Sequence, residues 1–163
     1  MIPASVMEVG VDAFYNCKRL KRVVFAPGSR LERIRCGCFR MTGLKRIAIP
    51  RGVARIERIA FCCCENLQEV VFEEGSGLET IEESAFKDCT KLAKINLPDG
   101  LRSIERYAFL RCGSLQNVQL PSTLEKIGNL CFGDSGLKML VLPAGMREVG
   151  TDVFWGCKRL ETV

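Results

Sequence analysis

The apolar positions of this chain repeat every 22–25 residues, far longer than the period of a single helix or strand. Phenylalanine marks the register at Phe14, Phe39, Phe61, Phe86, Phe109, Phe132 and Phe154. A small residue precedes each one, in order Ala13, Cys38, Ala60, Ala85, Ala108, Cys131 and Val153. Three residues after the ring stands a cysteine in five units: Cys17, Cys64, Cys89, Cys112 and Cys157. The other two units, Met41-Thr42-Gly43-Leu44 and Asp134-Ser135-Gly136-Leu137, are one residue shorter there and end in Gly-Leu.

An L-x-x-L-x-L-type run follows in every unit: Leu20/Val23/Phe25, Leu44/Ile47/Ile49, Leu67/Val70/Phe72, Leu92/Ile95/Leu97, Leu115/Val118/Leu120 and Leu137/Leu140/Leu142, with a last copy cut off at Leu160/Val163. The final two apolar residues of each run are two apart, so the spacing predicts a strand with both on one face. Pro50, Pro98, Pro121 and Pro143 then stop four of these strands, because proline cannot donate to a ladder. A second apolar pair leads back to the next phenylalanine: Val6/Val9, Leu31/Ile34, Val53/Ile56, Leu78/Ile81, Leu101/Ile104, Leu124/Ile127 and Met146/Val149. The small-Phe-x-x-Cys segment is expected to return the chain through a short helical turn or an irregular arc. No unit holds enough apolar groups for a core of its own, so the units must stack and share one.

These residues resemble the BspA-type leucine-rich repeats, whose consensus runs approximately L-x-x-I-x-x-x-A-F-x-x-C-x-x-L-x-x-I-x-I-P. The match covers residues 2–163, and the segment from Ile104 through Ala108-Phe109 and Cys112 to Leu120-Pro121 fits at every diagnostic position. The resemblance implies a repeat solenoid, α/β or mainly β, of about seven repeats in a single domain over residues 1–163, with a parallel sheet on its concave face. It also implies recognition of proteins or cell surfaces, and it carries over no catalytic residue. The first unit lacks its preceding strand and the last ends on its strand at Val163, so the expectation is a fragment or the subunit of a larger assembly.

Composition narrows the function class. The 47% hydrophobic and 26% charged content is globular, and no apolar run approaches the roughly 20 residues of a bilayer span. The first residues have neither the basic nor the apolar region of a signal peptide. Histidine is absent, which removes the commonest general base, and no nucleophile, phosphate or dinucleotide motif is present; no enzyme activity and no cofactor are expected. The net charge of +5 is uneven: residues 1–60 carry 13 Lys+Arg against 4 Asp+Glu, and residues 61–163 carry 11 against 15. The basic third suits an acidic partner, but it lacks a recognition motif or interleaved aromatics, so sequence-specific nucleic-acid binding is not expected.

Ten cysteines raise disulfide and metal readings. Seven hold repeat positions and read as small buried hydrophobes, a reduced ladder that suits an intracellular or organellar compartment; the cell surface is the alternative the family resemblance implies. Cys36, Cys62 and Cys63 fall off register, with Cys36 expected at an exposed position. Cys62-Cys63-Cys64 and Cys36-x-Cys38 fall short of paired C-x-x-C knuckles, so no metal site is expected.

Two columns are candidates for contact with a protein partner. Alternation along the strands exposes Arg22/Val24, Arg46/Ala48, Glu69/Val71, Lys94/Asn96, Asn117/Gln119 and Met139/Val141 on the concave face. On the return arc, Tyr15, Ile59, Tyr107, Leu110, Leu130 and Trp155 stand where other units place polar residues. Three function readings follow: a protein-interaction or scaffold module, a fragment of a surface adhesin, and an electrostatic binder of an acidic partner or nucleic acid.

Overall fold

The computed structural model describes residues 1–163. The chain is a mainly β solenoid without a helix, and no segment is a helix long and apolar enough to cross a membrane. Its strands are β1 (Glu8–Val9), β2 (Arg33–Ile34), β3 (Arg46–Ile49), β4 (Arg55–Ile56), β5 (Glu69–Phe72), β6 (Thr80–Ile81), β7 (Lys94–Ile95), β8 (Ser103–Ile104), β9 (Lys126–Ile127) and β10 (Glu148–Val149). They form two parallel sheets, β1-β2-β4-β6-β8-β9-β10 and β3-β5-β7.

The seven-stranded sheet comes from the second apolar pair. That segment was expected only to lead back to the phenylalanine; instead it contributes one rung per repeat. Each rung is two residues long, and its apolar member points inward at Val9, Ile34, Ile56, Ile81, Ile104 and Ile127. The L-x-x-L-x-L runs give a shorter sheet than expected. Pairing is continuous only from β3 through β5 to β7, and elsewhere reduces to the single bridges Ile2↔Phe25, Arg22↔Arg46, Asn117↔Met139 and Met139↔Thr162. The first of these bridges sets Ile2 beside Phe25, the last apolar residue of the first run.

The return arc is neither helical nor irregular. In all seven units the residues two before and two after the phenylalanine have left-handed backbone. The first column is Asp12, Gly37, Ile59, Ser84, Tyr107, Leu130 and Asp152; the second is Asn16, Met41, Cys63, Asp88, Arg111, Asp134 and Gly156. A bulky residue there is disfavoured by about 1–2 kcal/mol, so the surroundings must hold it in place. They do so in two ways. Alternate amides close turns within the arc, such as Tyr15 N–H to Asp12 O and Cys17 N–H to Phe14 O. The amides between them donate to the next arc, as Asp12 does to Cys36 O, Phe14 to Cys38 O and Asn16 to Arg40 O. The same three rungs recur at every junction, so the arc is a third hydrogen-bonded wall. Only 9 of the 92 backbone–backbone hydrogen bonds lie within strands, and these turn and rung bonds hold the solenoid together.

Between the walls runs one core of 36 buried residues. The seven phenylalanines stack through it in offset parallel pairs, with centroids 5.2–5.4 Å apart over the first five junctions and 6.2 Å at the last, Phe132–Phe154.

The cysteine column is more than small apolar filling. Cys64, Cys89, Cys112 and Cys157 each donate from Sγ to the carbonyl of the phenylalanine in the preceding repeat, at Phe39 O (3.0 Å), Phe61 O (3.2 Å), Phe86 O (3.3 Å) and Phe132 O (3.0 Å). The short units put Thr42 and Ser135 in this column, 3.2 Å from Cys64 Sγ and 3.3 Å from Cys157 Sγ. Since those thiols spend their protons on carbonyls, the hydroxyls donate to sulfur. The thiols reach back to the carbonyl of the preceding repeat, whereas the two hydroxyls reach forward to the sulfur of the following one. The short units also need their glycines, because a Cβ on Gly43 would lie 2.1 Å from Lys18 O, and one on Gly136 would lie 2.3 Å from Gly113 O.

Candidate functional site

The alternation of the strand runs places ten of the twelve predicted strand-face residues at exposed positions: Arg22, Val24, Arg46, Ala48, Lys94, Asn96, Asn117, Gln119, Met139 and Val141. Glu69 and Val71, on the central strand β5, are half-buried between their neighbours. Parallel register aligns them as columns, with Arg46 beside Glu69 and Glu69 beside Lys94.

The face changes character along the stack. At its N-terminal end Arg22 and Arg46 are directly opposed across a bridge, an arrangement of like charges that destabilises adjacent strands. Glu69 relieves Arg46 through an ion pair at 2.7 Å, while Lys21, Arg22 and Lys45 line an open cleft of about 410 Å³ with Val24 and Glu73. At the C-terminal end the pairing after β7 lapses, and a larger groove of about 850 Å³ opens there. Asn96, Asn117, Gln119, Met139 and Val141 line it over a floor that includes Ile95 and Val118. Val141 is 70% exposed and Met139 53%, the most exposed large apolar side chains of this face. Amide hydrogen-bonding groups thus stand beside uncovered apolar surface.

The arc candidates separate. Tyr15 and Trp155 are exposed, whereas Ile59, Tyr107, Leu110 and Leu130 are half-buried. Tyr15, Leu110 and Trp155 follow the phenylalanine by one residue, and Ile59, Tyr107 and Leu130 precede it by two, so the structure does not gather the six into one patch. Tyr15 carries Arg40 over its ring at 5.3 Å and Tyr107 carries Arg106 at 5.9 Å.

The seven-stranded sheet presents a lattice of ion pairs. Arg35 bridges Glu8 (3.2 Å) and Glu57 (3.3 Å), and Lys126 lies 3.4 Å from Glu105. Arg106–Glu83 at 3.0 Å and Arg102–Glu125 at 3.3 Å extend it. These pairs tie charges of successive repeats together across the sheet.

All ten cysteines are free. Burial pushes the thiols of Cys38 and Cys62 up to about 12, with Asp12 adding to the effect at Cys38 and the Cys63 thiol at Cys62. Burial likewise raises Cys64, Cys89, Cys112 and Cys131. Cys36 is half-buried rather than exposed, and its amide donates to Glu57 Oε2 at 3.0 Å. Stacking also creates a cluster that no C-x-x-C spacing announces. Cys62, Cys63 and Asp88 each bring one ligand atom within 4.8 Å of the others.

Stacked short repeats, a phenylalanine spine and an open strand face define a leucine-rich repeat protein. The chain belongs to the BspA type leucine rich repeat region family, whose model matches six copies over residues 1–76 and 32–161. Among solved structures, a leucine-rich repeat protein from Bacteroides ovatus ATCC 8483 is 32% identical, with a TM-score of 0.77, over 98% of this chain and 47% of that one. The T. pallidum leucine rich repeat protein TpLRR is 35% identical, with a TM-score of 0.68, over 71% of this chain and 56% of that one. The chain thus spans about half the length of these structures. The pneumococcal vaccine antigen PcpA, at 22% identity and a TM-score of 0.52, shares the fold. No curated protein matches the chain.

Proposed function

We propose that this chain is a protein-interaction module that acts by binding rather than by catalysis, and that it takes a partner segment across its strand face. The observation that carries this reading is the 850 Å³ groove, where exposed Met139 and Val141 meet the amides of Asn96, Asn117 and Gln119. Apolar anchors supply affinity and the amides fix the register of an extended backbone. The lapse in strand pairing after β7 supports the same site. The absence of histidine and the pairing of the carboxylates on the seven-stranded sheet with Arg106 and Lys126 support a binding role over acid–base chemistry.

Selection of displayed linear peptides on the folded chain tests it. Binders should emerge that are lost on Met139→Glu with Val141→Lys and kept on Arg102→Gln, which alters the ion-pair lattice. A set of binders indifferent to Met139 and Val141 would remove the groove from the proposal.

A second reading rests on the Arg22–Arg46 opposition. The basic cleft of Lys21, Arg22, Lys45 and Arg46 favours an acidic segment, which would relieve that repulsion. Polyglutamate should then bind with steep salt dependence and be lost on Arg22→Glu; equal binding by that variant would reject it.

A further inference from the structure

We propose that Cys62, Cys63 and Asp88 form a binding site for a thiophilic divalent cation of the zinc group.

Consecutive side chains in extended backbone point to opposite faces, which keeps two adjacent thiols from chelating. Here Cys63 takes the left-handed conformation with φ 58°, and the two sulfurs come to lie 3.6 Å apart. Zinc binds thiolates at about 2.3 Å in tetrahedral geometry, which requires a sulfur–sulfur edge of roughly 3.8 Å. The pair therefore closes on an ion with a shift of a few tenths of an ångström. Asp88 enters from the next repeat, where it occupies the same left-handed column as Cys63, and the rung from Cys63 N–H to Lys87 O (2.8 Å) fixes the two arcs against each other.

The repeat does not call for thiols at these two positions. The position of Cys62 is held in other units by Tyr15, Arg40, Lys87, Leu110, Gly133 and Trp155, and that of Cys63 by Asn16, Met41, Arg111 and Gly156 among others. Neither column asks for a small apolar group, in contrast with the donor column of Cys64, Cys89 and Cys112. Burial is graded as an open metal site needs: Cys62 is buried, while Cys63 and Asp88 remain half-exposed, leaving room for a water as fourth ligand. Met41, a soft thioether, lines the same open pocket as Cys63. Asp88 pairs with Arg111, whose Nη1 lies 3.5 Å from Oδ1 and whose side chain is 60% exposed, free to swing aside, and the charge of Arg40 favours the thiolate of Cys62. On binding, both thiols release their protons to solvent, so two thiolates and the Asp88 carboxylate surround the dication and leave the occupied site with one net negative charge.

Cadmium is the probe, since its bonds to thiolate give an ultraviolet charge-transfer band. The reduced protein, kept in a non-thiol reductant, should take up one equivalent of cadmium with that band, and zinc should displace it. Cys62→Ser and Cys63→Ser should each abolish the band, and Asp88→Asn should weaken binding by about tenfold or more. Lys87 and Asp88 occupy the equivalent positions one repeat later, so both polar substitutions are compatible with folding; circular dichroism confirms this for each variant. A triple variant, Cys17→Ser, Cys36→Ser and Cys157→Ser, removes the other accessible thiols and should bind as the parent does. No cadmium uptake by the folded parent, a band that survives Cys63→Ser, or one lost in the triple variant would each overturn the site.

Discussion

Cys89 Sγ donates a hydrogen bond of 3.2 Å to the carbonyl oxygen of Phe61, one repeat back in the stack. That oxygen already accepts the amide of Cys64, so the thiol satisfies its second lone pair inside a core sealed from water. Cys89→Ser should retain more stability than Cys89→Ala, because the hydroxyl keeps a donor facing Phe61 O. The alanine variant should lose about 1–3 kcal/mol, from the missing bond and the small cavity. Urea denaturation of the two variants decides; equal losses would reduce the column to volume alone.

The one-residue shortening of two units depends on close approach of the backbones. Gly136→Ala puts a methyl 2.3 Å from Gly113 O and should destabilise the chain by about 1–3 kcal/mol. Gly113→Ala, with open space around its Cβ, is the control and should change the thermal midpoint far less. A comparable drop for both would show that the shortened turn tolerates a side chain.

Thiol reactivity should divide the cysteines by burial. In the folded protein only Cys17, Cys36, Cys63 and Cys157 are open to alkylation, because the other six are buried and hold their protons. Mass spectrometry after brief alkylation at neutral pH should find no more than four modifications, rising to ten in denaturant. Rapid labelling of Cys89 or Cys112 in the native state would contradict the packed column.

Alkaline destabilisation follows from the same burial. The Cys38 thiol rises from 9.0 to about 12 on folding, so the folded state retains its proton while the unfolded chain loses it. Its contribution is fully present below pH 9 and is lost as the pH climbs toward 12, at about 1.4 kcal/mol per pH unit. Cys38→Ala installs the residue found at Ala60, Ala85 and Ala108 and removes this titration. Unfolding free energies measured on either side of pH 9 should fall more steeply for the parent than for the variant, and parallel slopes would refute the assignment.

The opposed arginines give an electrostatic prediction independent of any partner. Arg22→Glu replaces a repulsion across the Arg22–Arg46 bridge with an attraction and should stabilise the free chain by about 0.2–1 kcal/mol at low salt. The gain should shrink as salt rises. A stability decrease at low salt would mean that Arg22 is already well accommodated.

The fold was legible in the residues because a solenoid writes each core position seven times. One strand face and one phenylalanine spine follow directly from which columns are apolar. The left-handed columns had a fainter trace: half of their fourteen positions are glycine, asparagine or aspartate, the residues that tolerate positive φ, but Ile59, Tyr107 and Leu130 obscure it. The hydrogen-bonded arc and the seven-stranded sheet were not legible, because rungs of one or two residues carry too little alternation to register as strands.

The sequence by itself determined the repeat, its length, the inward columns and the exposure of the strand face, since each follows from local spacing and solvent exclusion. Only the tertiary structure decided what lies beside what across a junction. Stacking brings Asp88 to Cys62 and Cys63, sets Arg22 against Arg46, turns the thiols into donors for the preceding carbonyls, and opens the groove where pairing lapses after β7. These relations join residues more than twenty positions apart, and their geometry is fixed by the register of one turn on the next rather than by any run of neighbours in the chain.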